Sequence, residues 1–187
     1  MEFDLLIRSQ QVITDIDGRP AAVCVKDGKI VKIAGFSDVV QAAQDLTIAG
    51  SLIPGLVDSH VHINEPGRTE WEGFESATKA AAAGGITTVI DMPLNSIPPT
   101  VNVESLAIKK AAATGKCSID VGFWGGSIPG NVTDLEPLLK EGVFGFKCFL
   151  LHSGVDEFPA SSLDDLSAAL EVLAKNDALM IVHAEDS

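Results

Sequence analysis

The sequence is poor in cysteine and in basic residues, and it lacks both common glycine signatures of nucleotide sites. Each shortage removes a class of function. Three cysteines, Cys24, Cys117 and Cys148, are too few and too scattered for a disulfide framework or a C-x-x-C metal clip, and they read as packing residues of a reducing compartment. Lys and Arg number 13 against 26 Asp and Glu, a formal charge of -13, so phosphate backbones and anionic lipid are repelled. Nucleic acid is excluded as a partner. No apolar run approaches the ~20 residues of a membrane span, and Met1-Glu2-Phe3-Asp4 carries no basic leader, so a cytoplasmic protein without membrane contact is expected. Without G-x-G-x-x-G or G-x-x-x-x-G-K-[ST], nucleotide-binding folds lose their main support.

What is present is an apolar chain of 187 residues, 46% hydrophobic, sufficient to bury a core. Residues 1–50 read as a small antiparallel sheet: Phe3 to Ile7, Gln11 to Thr14, Ala21 to Lys26, Ile30 to Ala34 and Leu46 to Ala49, with Asp27-Gly28 as a hairpin turn. From Ser51 the rhythm changes to strand, loop and helix at roughly 30-residue spacing, as in successive βα units. Strands are expected at Leu52 to His62, Thr87 to Met92, Ser118 to Trp124, Val143 to Leu151 and Ala178 to His183. Helices are expected over Phe74 to Ala83 and over Val103 to Ala113, the second capped by Asn102. Thr133 with Glu136, and Ser161 with Asp164, have capping-box spacing, and Leu163, Leu166, Leu170 and Leu173 line one face of the last helix. The fold class is α/β. An open doubly wound sheet of five strands and a (β/α)8 barrel cut off after about five of its eight units both fit this pattern.

The polar residues collect where strands end. In Asp58-Ser59-His60-Val61-His62 the two histidines are two residues apart on an extended strand, which aims both imidazoles into one space. By itself this also suits a strand end with two exposed histidines. Lys147 stands inside the apolar run Val143 to Leu151. Buried, it would be a neutral amine able to add carbon dioxide and become an anionic metal ligand; at an edge it would simply snorkel to water. His183 ends the last strand, and Asn95 follows the second.

These residues resemble the cyclic amidohydrolases of the amidohydrolase superfamily. The likeness rests on Pro54 to His62, Gly145-Phe146-Lys147 and Val182-His183-Ala184-Glu185. Within that group the stretches His60 to Phe74 and Asp91 to Thr100 are most similar to the allantoinases. The resemblance implies a small β domain over 1–50, incomplete, and the first part of a metal-dependent (β/α)8 barrel over 51–187. It implies two divalent metals, zinc as a rule, with His60 and His62 on one, Lys147 carboxylated by carbon dioxide and bridging both, and His183 on the second. A hydroxide held between the metals would open the ring of a cyclic ureide, allantoin giving allantoate.

The substrate follows from departures within the group. Dihydroorotases carry an arginine where Asn64 stands, which suits an anionic substrate; dihydropyrimidinases and hydantoinases carry a tyrosine where His152 stands. Asn64 and Asn95 are therefore the expected substrate contacts, and His152 the expected donor to the developing oxyanion. One further ligand histidine and the general-base aspartate of the group would fall beyond Ser187, and Asp186 does not replace that aspartate, which comes from the last barrel strand. The resemblance also implies a homo-oligomer, a tetramer, at full length, and a 187-residue piece with little or no activity of its own. Dihydropyrimidinase, hydantoinase or dihydroorotase chemistry is the alternative within enzymes, and a non-catalytic amidohydrolase-like scaffold the alternative outside them.

Overall fold

A computed structural model describes residues 2–185 and divides the chain into two compact units, 1–54 and 55–187. Asp186 and Ser187 lie outside the described residues. Among those described, no helix is long and apolar enough to cross a membrane.

The first unit is a four-stranded sheet of β1 (Phe3–Ile13), β2 (Gly18–Lys26), β3 (Lys29–Gly35) and β4 (Ala42–Ile48), in the order β3-β2-β1-β4. Asp27 and Gly28 take φ of 50° and 72°, the left-handed pair that a tight hairpin between β2 and β3 requires. Two expectations need correction. The sequence suggested two short strands before Thr14, but β1 is one strand whose register shifts between Ser9 and Val12; the Ser9 hydroxyl accepts the Gln11 N–H at this irregularity. Nor is the sheet wholly antiparallel, because β4 pairs parallel with β1. Arg8 is the physical reason: its guanidinium donates to the carbonyls of Phe36 and Asp38 and to the Asp45 carboxylate, pinning the crossover that parallel pairing requires. A cluster of Phe3, Leu6, Ala22, Cys24 and Ala34 forms the core, with Val40 of the crossover packed on it.

In the second unit all paired strands are parallel. The first sheet contains β5 (Leu56–Val61), β6 (Ile86–Asp91) and β7 (Asp120–Phe123), in that order; the second contains β8 (Gly125–Gly126), β9 (Phe146–Phe149) and β10 (Met180–His183), in the order β10-β9-β8. Trp124 links the two: its N–H donates to the Asp91 carbonyl of β6, while the next N–H, of Gly125, donates to Gly145 beside β9. Helices α1 (Phe74–Ala83), α2 (Val103–Ala113), α3 (Val132–Lys140) and α4 (Leu163–Lys175) alternate with the strands. Gly145, at φ 156°, lets the chain close on Trp124 and Leu179, since a Cβ there would lie 2.6 Å from the Leu179 carbonyl oxygen. That approach delivers Lys147 into the sheet.

The capping of α2 follows the sequence, with Asn102 accepting from Ser105 N–H at 2.8 Å. The other two caps differ. Thr133 and Glu136 make no capping box; α3 starts at Asn131, whose amide is turned to Ile128 N–H and to the Val101 and Gly126 carbonyls. In α4 the box is Ser162 with Asp165, one residue later than expected, because Ser161 is buried instead. The leucine face moves with it: Ala169 and Leu173 are buried, whereas Leu163 and Leu170 are 74% and 45% exposed. Cys24 and Cys148 are buried as packing residues, but Cys117 is exposed.

Candidate active site

The H-x-H stretch leaves β5 through an irregularity. Pairing runs from Asp58 opposite Val89 to Val61 opposite Asp91, so β5 carries one residue more than β6 over this interval. A bulge of this kind frees an N–H and re-aims side chains. Here the Asp58 carboxylate accepts the His60 N–H at 3.0 Å, and the indole of Trp124 donates to the Ser59 carbonyl at 2.9 Å. His60 lies within this interval and His62 just after it, and their rings lie 5.5 Å apart between centroids.

His60 is exposed and His62 half-buried. Burial, reinforced by the charges of His60, Lys109 and Lys147, holds His62 down at about 4, so its imidazole is neutral at neutral pH. That is the form that binds a cation. Lys147 lies on β9 and is buried, its Nζ 4.8 Å from the centre of the Phe149 ring. Desolvation pulls its pKa below the ordinary lysine value. On β10, His183 stacks on the same Phe149 ring of β9 at 5.0 Å, with its Nε2 3.0 Å from Glu185 Oε1.

The structure therefore brings His60 and His62 together, and places Lys147 and His183 on neighbouring strands around Phe149. Among the described residues, no three His, Cys, Asp or Glu side chains form a metal cage by themselves. Asn95 takes φ 74°, and its Nδ2 is 3.4 Å from His62 Nδ1. Asn64 is buried, and its Oδ1 has no hydrogen-bond partner. His152 is exposed; its Nδ1 accepts the Gly154 N–H at 3.0 Å, which puts the ring proton on Nε2 in the neutral form.

Sequence reasoning missed two arrangements. The first is an ion pair in the interior: Lys109 of α2 reaches Asp91 Oδ2 at 2.6 Å, with both side chains almost wholly buried. Burial pushes Asp91 up to about 6 against the opposing pull of Lys109. Helical spacing was a usable signal, since Lys109 falls on the same face as Leu106 and Ala113. The second is Arg68, which donates to the Asn95 carbonyl at 2.8 Å, pairs with Glu157 and lies 4.9 Å over the Trp71 ring.

Residues 51–187 match the description of the amidohydrolase family. The chain is 54% identical to an allantoinase of Streptomyces avermitilis, over 99% of its own length and 42% of the relative's. It is 62% identical to an allantoinase of Saccharomyces cerevisiae, over 96% of its own length and 41% of the relative's. Among solved structures it superposes on the L-hydantoinase (dihydropyrimidinase) from Arthrobacter aurescens with a TM-score of 0.91 and 31% identity, covering 99% of this chain and 41% of that one. The chain spans about two fifths of the length of these relatives. The match over residues 51–187, on an α/β unit whose H-x-H and His183 stand at strand ends with Lys147 inside β9, makes this chain a member of the amidohydrolase family.

Proposed function

We propose that the chain is the N-terminal part of an allantoinase-type hydrolase, with 1–50 opening a small β domain and 51–187 forming the first units of a (β/α)8 barrel. Parallel strands in sequence order, alternating with helices, support the barrel. The names of the relatives support allantoin as the substrate. The observation that carries the chemistry is Lys147: a buried lysine whose amine is easily neutralised, near a neutral His62 paired with His60.

The donor set is of a type that would hold divalent cations such as zinc, with His60, His62, His183 and a carboxylated Lys147 as the ligands. Bound there, the cations would activate a water and polarise the ring carbonyl. The residues of the chain prepare that site. The neutral amine of Lys147 adds carbon dioxide, forming an N–C bond and losing a proton, and so becomes an anionic oxygen donor. Glu185 holds the proton of His183 on Nε2, which leaves the Nδ1 lone pair to bind. Asn95, with its Nδ2 3.4 Å from His62 Nδ1, restrains the orientation of that ring. The substrate contact expected at Asn64 meets a side chain whose Oδ1 is buried out of reach of solvent. His152 offers its Nε2–H to the developing oxyanion.

The test is metal analysis and allantoin ring opening with the full-length protein and its Lys147→Ala variant. The unmodified protein binds two divalent ions and releases allantoate; the variant loses metal and at least about a hundredfold in activity. Turnover by the variant at the unmodified rate would sink the reading. The hydantoinase likeness favours one second reading, hydantoin or dihydropyrimidine hydrolysis. A substrate panel decides, with allantoin expected to give the highest kcat/KM.

A further inference from the structure

We infer that Lys109 and Asp91 are a positioning pair for the candidate metal site, fixing where His62 and Asn95 stand relative to each other. The inference rests on the metal-site reading above. The Lys109 ammonium reaches four acceptors: Asp91 Oδ2 at 2.6 Å, Ser96 Oγ at 3.1 Å, the Ile63 carbonyl at 3.2 Å and the Met92 carbonyl at 3.4 Å. The second oxygen of Asp91 accepts the Ile63 N–H at 2.7 Å. Both backbone groups of Ile63, the residue after His62, are therefore held by one ion pair rather than by a neighbouring strand. Met92 and Ser96 bracket Asn95 on the next loop. One buried ammonium thus ties together the two segments that carry His62 and Asn95.

The alternative is that the pair merely stabilises the core. Buried ion pairs are poor at that task, because desolvating two charges cancels most of their attraction, and well-packed apolar residues do as well or better. Direction is what an apolar pair of the same volume cannot supply. It is needed here because β5 ends at Val61, which still pairs opposite Asp91 and accepts the Met92 N–H at 2.7 Å, so the direction of the chain through His62 is set by the ion pair on Ile63.

The experiment compares the full-length metal-loaded protein with Lys109→Met and with the double variant Lys109→Met/Asp91→Leu. The single variant leaves a buried carboxylate unpaired, and its Tm falls sharply. The double variant removes both charges and recovers most of that Tm. Its metal affinity, measured by competition with a chelator, nevertheless stays about 10- to 100-fold weaker than that of the unmodified protein. A double variant with unmodified metal affinity, or one that does not fold, overturns the inference and leaves the pair a structural feature. Absence of metal from the unmodified protein would instead overturn the metal-site reading itself, so the two failures are told apart.

Discussion

In the first unit the buried residues are apolar except for Ser9, whose hydroxyl donates to the Gly50 carbonyl at 2.7 Å and accepts from Gln11 N–H at 2.9 Å. The second unit buries Lys109, Lys147, Asp91, Asn64 and Glu65 as well as several hydroxyls. Burying an ionised group costs several kcal/mol unless it is paired and hydrogen-bonded, roughly, so such groups accumulate only where something other than cohesion is required of them. Lys109 and Asp91 meet that condition by pairing with each other at 2.6 Å and by the Ile63 N–H on Asp91 Oδ1, whereas Asn64 Oδ1 has no partner. The contrast separates a unit that only has to hold together from one that keeps reactive or directing groups out of water.

The largest expected effect of breaking that contrast from the apolar side is Leu6→Ala. Leu6 is fully buried against Phe3, Ala22, Cys24 and Ala34, and truncating it leaves a cavity worth about 2–5 kcal/mol in thermal or denaturant unfolding. Metal content of the folded protein should not change. Loss of metal in a folded Leu6→Ala protein would break the division of labour between the units. A smaller effect is expected from Ser9→Ala, which leaves the Gly50 carbonyl and the Gln11 N–H without their partner and costs about 1–3 kcal/mol. Here too the readout is unfolding, and the site should be indifferent.

How much of this was legible in the sequence differs by region for the same reason. Period and cap chemistry are local, so Phe74–Ala83 and the Asn102-capped Val103–Ala113 could be read to the residue. The H-x-H pair was readable because alternation on a strand is local as well. The β1–β4 parallel pairing was not, because it depends on Arg8 reaching carbonyls 28 and 30 residues away. The α4 face was misplaced because Ser161 and Ser162 offer the same capping chemistry, and only the burial of Ser161 selects the second. Lys109 escaped notice because a lysine in a helix is normally solvated; nothing local says that Asp91, 18 residues earlier, waits for it.

The smallest effect on stability, and the sharpest on the site, is expected from Arg68→Met. Arg68 donates to the carbonyl of Asn95 and so supports a left-handed backbone at a residue that tolerates it only modestly. Released, Asn95 no longer keeps its amide against His62, and in the proposed allantoin hydrolysis by the full-length protein KM is expected to rise roughly fivefold, the worth of one hydrogen bond, with kcat little changed. At neutral pH the melting temperature barely moves, since the ion pair with Glu157 is partly exposed. Its pH dependence still identifies the pair. The Arg68 hydrogen bond holds Glu157 below the ordinary value of 4.5, so the stability it contributes is present above that value and disappears as pH falls through the lowered one. The small difference in melting temperature between the unmodified and Arg68→Met proteins should therefore vanish on acidification below 4.5. Curves that stay parallel through that window would show that Glu157 is not the group Arg68 restrains, and the clasp over Asn95 would have to be assigned to the carbonyl contact alone.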